Sequence, residues 1–287
     1  MSVRVYKVGG PALEDPDLIA PLAAEVRRGD GPVVLVHGGG RAVERLLQSL
    51  RIQSRFVEGR RETSPEAMAV VEMVLSGSVN KQLAAGLTAA GVPAVGISGR
   101  DGGLVRARLL PGLGRVGAPE RVDPAPIRAL WAAGYVPVVS PVASGPAGEA
   151  VNVNADEAAL GIARALGATT LVYLSDVDGV RVGDRTAETL TPDQTRRRIE
   201  DGTIAGGMAL KVRVALDAAA AGIPEVVIAG KARLRGEFPG TRIVGNDEAP
   251  PSRLSRNGHG DRGPSPRPST NGHSPRNARG RHSSGAR

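Results

Sequence analysis

Short apolar runs alternate along the chain with segments whose apolar residues recur at helical spacing. The run 33–36 has four consecutive apolar residues, three of them β-branched, which predicts a strand buried on both faces. In the next segment, 41–50, apolar residues recur at i, i+3, i+4 and i+7, which predicts an amphipathic helix. Further strands are predicted over 3–8, 92–98, 136–139, 169–174, 225–229 and 241–244, and further helices over 18–26, 65–87, 126–133, 155–166 and 208–221. This alternation predicts an α/β fold, a three-layer αβα sandwich around a mostly parallel central sheet.

Glycine turns follow the first two predicted strands. Gly9-Gly10 comes after the strand 3–8, and three consecutive glycines, 38–40, come after the strand 33–36. Such turns present bare backbone N–H groups at a helix N-terminus, where an anionic group binds well. A triple glycine alone is equally consistent with a plain tight turn. The repetition of the pattern favours a phosphate-binding edge.

The predicted helix 65–87 carries more apolar residues than one buried stripe requires. It begins at an N-capping Ser64 followed by Pro65, and six of the residues in 68–75 have large apolar side chains. This excess indicates either a subunit interface or burial beneath a neighbouring part of the same chain.

Composition and charge separate a folded body from a basic tail. The chain has 287 residues, no cysteine and a formal net charge of +8, of which residues 251–287 contribute eight arginines and a single acid. The rest of the chain is therefore nearly neutral, and we expect 249–287 to be a disordered basic tail because it is poor in apolar residues. Nucleic-acid binding would depend on this tail alone. The absence of cysteine, of a signal-peptide pattern and of a long apolar run predicts a soluble cytoplasmic protein without disulfides, without a thiolate metal site and without a membrane span.

Lysine is rare in this arginine-rich chain, and its positions are informative. Only four of the 37 basic residues are lysines, and two of them, Lys7 and Lys211, lie where a ligand is expected. Lys7 ends a buried strand beside Gly9-Gly10, at the edge where open α/β sheets bind ligands. Lys211 lies near the start of a helix, after a glycine-containing loop. A compact ammonium suits a crowded phosphate site better than a guanidinium does.

An asparagine-rich loop precedes the predicted helix 155–166. Asn154 and Glu157 have the spacing of a capping box, and Asp156 in the first turn matches the helix dipole, so both have an ordinary structural explanation. Asn152 lies outside the helix with no capping role, and we expect it to contact a substrate.

Other motifs are weaker. The turn 174–180 contains Asp-x-Asp-Gly but lacks the glutamate of a calcium loop, so it is better interpreted as a turn at the nucleotide edge of the sheet. Gly-x-Gly-x-x-Gly at 112–117 is flanked by prolines and does not join a strand to a helix, which argues against a dinucleotide fingerprint. No P-loop is present. His37 has no second His or Cys nearby, and we expect a buried, hydrogen-bonded histidine rather than a base or a metal ligand.

Together these motifs resemble the amino-acid kinase family over about residues 3–245. The order and spacing of the following runs carry the resemblance: 7–10, 36–40, 59–63, 72–75, 79–81, 152–156, 174–179, 207–211 and 240–243. The resemblance implies the amino-acid kinase fold over 1–248. It places a substrate and dimer lobe over about 1–165 and a nucleotide lobe over about 166–248.

The same resemblance implies an activity and a set of site residues. It implies ATP-dependent phosphorylation of the side-chain carboxylate of N-acetyl-L-glutamate in arginine biosynthesis by a homodimer. The required Mg²⁺ would be held mainly by the phosphates of ATP rather than by protein ligands. By similarity, Lys7 and Lys211 stabilise the transferring phosphoryl group and Asp156 orients them. The implied substrate residues are Gly39, Gly40, Arg61 and Asn152, and the implied nucleotide residues are Gly9, Gly10, Asp176, Val177, Asp178, Gly179, Val180, Arg181, Thr203, Ile204 and Ala205.

Several alternatives stay open from the sequence. Arg60, beside Arg61, could be the arginine that binds the substrate carboxylate. A related kinase could act on a carrier-protein-linked aminoadipate or glutamate, although the nearly neutral body and the run 152–156 favour the free acetylated substrate. A non-catalytic nucleotide or amino-acid sensor would be expected to lack Lys7, Asp156 or Lys211, and all three are present. The short segment between Lys231 and Gly240, together with the early first strand, is typical of arginine-insensitive members of the family, so we expect no feedback inhibition by arginine.

Overall fold

The structure, a computed structural model, describes residues 2–29 and 31–245. The predicted tail 249–287 lies outside the described residues. The chain folds around an eight-stranded sheet in the order β14-β16-β15-β11-β1-β2-β8-β5. Its strands are β1 (Arg4–Val8), β2 (Val33–His37), β5 (Ala94–Ser98), β8 (Val136–Ser140), β11 (Thr170–Leu174), β14 (Thr189–Leu190), β15 (Glu225–Ala229) and β16 (Thr241–Ile243). Six strands run parallel and only β15 and β16 pair antiparallel, which confirms the predicted mostly parallel sheet.

Ten α-helices are described in residues 2–29 and 31–245. They are α1 (Gly10–Leu13), α2 (Ile19–Arg27), α3 (Gly40–Ser49), α4 (Pro65–Glu72), α5 (Asn80–Ala89), α6 (Ala125–Ala132), α7 (Ala155–Leu166), α8 (Pro192–Glu200), α9 (Gly206–Ala220) and α10 (Lys231–Leu234). No helix among these combines the length and hydropathy that a membrane crossing requires.

Helices cover both faces of the sheet, which gives the predicted three layers. Successive side chains of a strand point to opposite faces, so Val5 packs with α7 and α9 while Tyr6 and Val8 pack with α2 and α5. Burial of both faces explains why these strands read as uninterrupted apolar runs. The exception is Lys7, which shares the face of Val5 and points toward α7 and α9.

The predicted helix 65–87 is continuous but changes its winding. Between α4 and α5, Met73–Val79 forms a π-helical segment, a form that is often found at functional sites. Most of the surplus apolar side chains are buried within the chain, against α3 and a neighbouring small sheet, whereas Met73 is exposed. Burial beneath a neighbouring part of the chain therefore accounts for most of the excess.

A second sheet and two hairpins were not predicted. Strands β6 (Val105–Leu109), β7 (Val116–Val122), β9 (Val142–Ser144) and β10 (Ala150–Val153) close into a small barrel. Two short hairpins are formed by β3 (Phe56–Val57) with β4 (Arg60–Arg61), and by β12 (Arg181–Val182) with β13 (Arg185–Thr186). Most of these strands have five residues or fewer, and β6 and β7 are interrupted by glycine, proline or arginine, so their apolar pattern is weak. The run 112–117 connects β6 to β7, which agrees with its rejection as a dinucleotide fingerprint.

Candidate active site

The two glycine turns meet at the carboxyl ends of β1 and β2. A Cβ atom added to Gly10 would lie 3.3 Å from the amide nitrogen of Gly40 and 3.4 Å from that of Gly39. Gly39 has a φ of 151°, and a Cβ there would lie 2.6 Å from Leu75 Cδ2 in the π-helical segment. Only glycine fits this backbone and this space. The amide of Gly9 donates to the carbonyl of Leu174 at 2.9 Å, so Gly9 joins the turn to β11 rather than offering its N–H to a ligand.

Beside these turns, three charged side chains from distant parts of the chain form one buried cluster. Lys7 Nζ lies 2.9 Å from Asp156 Oδ1, and Lys211 Nζ lies 3.0 Å from both carboxylate oxygens. The residues are only 6%, 7% and 8% exposed, respectively. Lys7 is the penultimate residue of β1, Asp156 lies in the first turn of α7, and Lys211 lies in the second turn of α9. The fold thus brings together the three residues predicted to be catalytic.

The electrostatics of the cluster favour two ammonium groups that share one carboxylate. Burial alone would raise the pKa of Asp156, but the positive charges of Lys7 and Lys211 outweigh it and lower that pKa to about 2. Burial and the charge of Lys7 lower the pKa of Lys211 to about 8, against the opposing effect of Asp156. The cluster carries a net positive charge while both lysines are protonated, which suits it to bind a polyanion.

Tyr173 underlies this cluster and was not identified from the sequence. It is paired with Lys7 in the register of β1 and β11, and its ring centroid lies 5.9 Å from Lys211 Nζ. Its hydroxyl is buried and has no hydrogen-bond partner among the described residues. Burial, followed by the nearby charges of Asp156 and Asp217, raises the pKa of Tyr173 well above its usual value, so the phenol stays neutral. The register of the adjacent strands, had it been known, would have pointed to this residue.

A cavity of about 340 Å³ opens next to Lys7. The four residues predicted to bind the substrate, Gly39, Gly40, Arg61 and Asn152, all line it. Apolar side chains from β7 and from the π-helical segment complete the wall, including Val116 and Leu75. The cavity therefore combines a cationic end with an apolar body, an arrangement suited to a small anionic molecule.

Arg61 is the more deeply held of the two neighbouring arginines. Its Nη1 donates to Glu44 and, at 2.8 Å, to Ser54 Oγ, and its Nη2 donates to the carbonyl of Gly40 at 3.1 Å. The guanidinium carbon lies 4.5 Å from the centroid of the Phe56 ring. Nε–H and one Nη2–H remain without a partner among the described residues, and together they suit a carboxylate. Arg60 instead has its Nε and Nη2 bonded to one carboxylate, that of Glu157.

The two asparagines of the asparagine-rich loop have different roles: Asn154 caps a helix, and Asn152 contributes to the cavity wall. Asn154 caps α7, because its Oδ1 accepts the amide N–H of Asp156 at 2.8 Å and that of Glu157 at 3.4 Å. The predicted capping box is incomplete, since the Glu157 side chain turns to Arg60 instead. Asn152 Nδ2 donates to Thr63 Oγ1 at 3.1 Å. This bond leaves the amide oxygen of Asn152 available, and it assigns Thr63 a supporting role that the sequence did not reveal.

Apart from Gly9 and Gly10, the residues predicted to bind the nucleotide follow β11 or precede α9. Asp176–Arg181 lies beyond the carboxyl end of β11, where Ser175 Cα would be 3.7 Å from a Cβ on Gly9. Val180 is fully buried, its amide donates to Thr241 Oγ1, and its carbonyl accepts the amide of Ala187. Because its side chain is buried and its amide is bonded to Thr241, Val180 is a core residue of the turn rather than part of an accessible surface.

The loop before α9 contains the other predicted nucleotide residues. Ile204 is likewise buried, with its amide bonded to the carbonyl of Arg198. The amide of Thr203 donates to Asp201 Oδ1, and Ala205 is the N-cap of α9 without a side-chain cap. This terminus leaves helix N–H groups available to an anion.

His37 has the structural role expected of it. It is fully buried, with Nδ1 bonded to the carbonyl oxygen of Gly38 at 2.7 Å and Nε2 accepting from Asn80 Nδ2 at 3.1 Å. Burial lowers the pKa of His37 to about 4, so the ring is neutral. Asn80 also donates to the carbonyls of Val138 and Ile97, so it braces β2, β8 and β5 together.

The chain is similar to known proteins over most of its length. Residues 2–230 match the model of the amino acid kinase family. An acetylglutamate kinase of Rubrobacter xylanophilus is 45% identical over 251 residues, covering 85% of this chain and 96% of that protein. One of Geobacillus stearothermophilus is 45% identical over 247 residues, covering 83% of this chain and 95% of that protein. The crystal structure of smu.665 from Streptococcus mutans UA159 superposes with a TM-score of 0.77 at 27% identity, covering 84% of this chain and 98% of that one.

Proposed function

Because this chain belongs to the amino acid kinase family, we propose that it transfers a phosphoryl group from ATP to the side-chain carboxylate of N-acetyl-L-glutamate in arginine biosynthesis. The product is N-acetylglutamyl 5-phosphate. The observation that carries this proposal is the buried Lys7–Asp156–Lys211 cluster beside a small cavity between two glycine turns. This chain matches nearly the whole length of the curated relatives, and their name, acetylglutamate kinase, indicates the substrate.

The chemistry needs no general base. The attacking carboxylate has a pKa of about 4.3 and is already ionised at neutral pH. One of its oxygens forms a bond to the γ-phosphorus, the bond from that phosphorus to the bridging oxygen breaks, and ADP leaves with the bonding pair. The protein must therefore align two anions and stabilise the charge that develops on the moving group. Neutral His37, bonded on both ring nitrogens, takes no part in this step.

Each residue of the cluster then has a role. Lys7 and Lys211 stabilise the transferring phosphoryl group from two directions, and Asp156 holds the ammonium groups in place and reduces their mutual repulsion. The free amides around Gly10 and Gly40 add hydrogen bonds to the phosphates. Arg61 pairs with the α-carboxylate of the acceptor through its unused Nε–H and Nη2–H, and Asn152 binds the acetylamino end.

The nucleotide occupies the neighbouring loops in this proposal. The turn Asp176–Arg181 follows β11, the strand that pairs with β1, and α9 begins five residues before Lys211. Neither loop lines the acceptor cavity, so we propose that ATP reaches Lys211 from these loops. Val180 and Ile204 contribute by shaping these loops from the core. We propose that the lobe 1–165 binds the acceptor and that the lobe 166–248 binds the nucleotide.

Mg²⁺ enters with ATP. The residues described contain no group of three His, Asp or Glu side chains able to hold a metal ion, and the carboxylate of the cluster is already bonded to two lysines. We therefore assign the ion mainly to the phosphates of ATP, where it would neutralise part of their charge.

Assembly and location follow from the same family assignment. We propose a homodimer that works in the cytoplasm. Exposed Met73, on the π-helical segment, offers an apolar contact for a second copy. Size-exclusion chromatography with light scattering would test the dimer directly, and a monomer at micromolar concentration would contradict it.

The activity itself is tested by a coupled assay of ADP release. N-acetyl-L-glutamate is compared with glutamate, aspartate and aminoadipate under the same conditions. We expect turnover with the acetylated substrate to be at least about 100-fold above that with the others, because only its acetylamino group occupies the end of the cavity at Asn152. Equal rates with free aminoadipate and acetylglutamate would refute the substrate assignment, and no ADP release with any acceptor would favour the sensor alternative.

A further inference from the structure

The hairpin β3–β4 covers one side of the acceptor cavity but has little structure of its own. Each strand has two residues, and an isolated two-stranded hairpin is only marginally stable. Its position must therefore depend on contacts that its side chains make with the rest of the protein. Phe56, Gly59, Arg60 and Arg61 of this hairpin all line the cavity.

The tip of the hairpin contacts Glu157 and Leu210, which are the chain neighbours of Asp156 and Lys211. Arg60 Nη2 lies 2.5 Å from Glu157 Oε1 and its Nε lies 3.3 Å from Oε2, a two-point ion pair. The Arg60 and Glu157 side chains are only 21% and 16% exposed. Gly59, with a φ of 81°, lies so near α9 that a Cβ there would be 3.0 Å from Leu210 Cδ2. Glu157 follows Asp156 in the chain, and Leu210 precedes Lys211.

We propose that Arg60 and Glu157 form a positioning pair that holds the hairpin tip against α7 and so sets the affinity for the acceptor substrate. This inference rests on the function proposed above. The base of the hairpin carries Arg61, which binds the acceptor, while its tip is fixed to the helix that carries Asp156. The pair thus sets the distance between the residue that recognises the acceptor and the cluster that receives the phosphoryl group.

The alternative is an ion pair with no functional effect. Exposed pairs contribute at most about 1 kcal/mol and many contribute nothing measurable. Two features separate this pair from that class: both side chains are largely buried, and Glu157 is diverted from the capping position that its spacing would give it. A hairpin that lacks the pair would occupy the position seen in the structure for a smaller fraction of the time, and the apparent affinity for a ligand that needs this position would fall in proportion.

Steady-state kinetics on Arg60→Gln, Glu157→Gln and the double variant test the proposal. We expect KM for N-acetyl-L-glutamate to rise about 10-fold in each single variant, with KM for ATP and kcat changed less than about 2-fold. The double variant should be no worse than either single variant, because both changes break the same contact. Arg100→Gln is the matched control, since it breaks a half-buried ion pair with Glu72 that does not involve the hairpin.

Limited chymotrypsin digestion gives a readout that does not depend on turnover. Phe56, at the base of the hairpin, is 60% exposed and is one of only two phenylalanines in the chain. Cleavage after Phe56, identified by fragment mass, should be faster in Glu157→Gln than in the wild type, and unchanged in Arg100→Gln.

Two results would overturn the inference: an unchanged KM for N-acetyl-L-glutamate in both single variants, or additive effects in the double variant. Wild-type protein that is inactive with N-acetyl-L-glutamate would instead refute the proposed function. In that case the chymotrypsin comparison still decides whether Glu157 holds the hairpin.

Discussion

Replacing Asp156 with asparagine removes the one negative charge in the Lys7–Asp156–Lys211 cluster while keeping the shape of the side chain. Both lysine nitrogens bond to Oδ1, at 2.9 and 3.0 Å, so they lie within about 6 Å of each other. In the variant the two ammonium groups face each other without compensation. We expect kcat to fall because the groups separate or because one of them loses its proton.

The size of the effect follows from Coulomb's law. Two unit charges about 6 Å apart repel by about 3 kcal/mol at an effective dielectric constant of about 20. If that repulsion is not offset in the transition state, kcat falls about 100-fold. Asp156 also raises the pKa of Lys211, which burial and Lys7 lower to about 8, so its removal should lower that pKa further.

The assay is the pH dependence of kcat/KM for ATP in the ADP-release reaction. In the wild type the rate should be constant from about pH 6 to about pH 8, where the acceptor carboxylate is ionised, and should fall above pH 8 as Lys211 loses its proton. In Asp156→Asn the plateau should be about 100-fold lower and the decline should begin at lower pH. Asp156→Glu, which keeps the charge, should retain the wild-type position of the decline. A variant with unchanged kcat, or with the decline at higher pH, would refute this account of the cluster.

Three further predictions follow from single residues. Lys211→Arg should lower kcat about 100-fold or more, because a broad guanidinium replaces a buried ammonium; near-wild-type turnover would contradict the assignment. His37 is buried in its neutral form, and its pKa is lowered from 6.5 to about 4. As the pH falls from 6.5 to 4, only the unfolded chain takes up a proton at this residue, so the free energy of unfolding should decrease by about 3 kcal/mol. Urea unfolding should show this loss in the wild type but not in His37→Asn. Gly39→Ala should destabilise the protein by about 1–3 kcal/mol, since its φ of 151° and the contact with Leu75 exclude a methyl group; an unchanged urea midpoint would argue against this reason.

Seven of the eight strands of the main sheet were predicted, because most of them are buried on both faces, whereas the two-residue edge strand β14 was not. Continuous apolar runs such as Val33–His37 leave little choice of structure, and the glycines beyond them mark the ligand-binding edge. The barrel was missed for the opposite reason. In Val105–Leu109 the outward positions are arginines, and the antiparallel partner Val116–Val122 contains a proline, so neither strand stands out from a loop.

Within the site, residue type was more informative than pattern. The scarcity of lysine marked Lys7 and Lys211, and the first-turn position marked Asp156, but only the fold shows that the three share one contact. Tyr173 was not identified, because a tyrosine in an apolar strand is interpreted as a core residue unless its pairing with Lys7 on the neighbouring strand is known. Glu157 was assigned to the wrong partner, since a capping box is decided locally whereas Arg60 comes from almost a hundred residues away.

The placement of β1 in the middle of the sheet has a consequence for synthesis of the protein. One edge of β1 pairs with β2 almost at once, but its other edge pairs with Thr170–Leu174, more than 160 residues later. A nascent chain halted before Thr170 exposes the unpaired backbone of Arg4–Val8 and invites association with other strands. Because the proposed mechanism needs both Lys7 and Lys211, we expect no activity from a chain halted before Lys211, although its first strand was made at the start of translation.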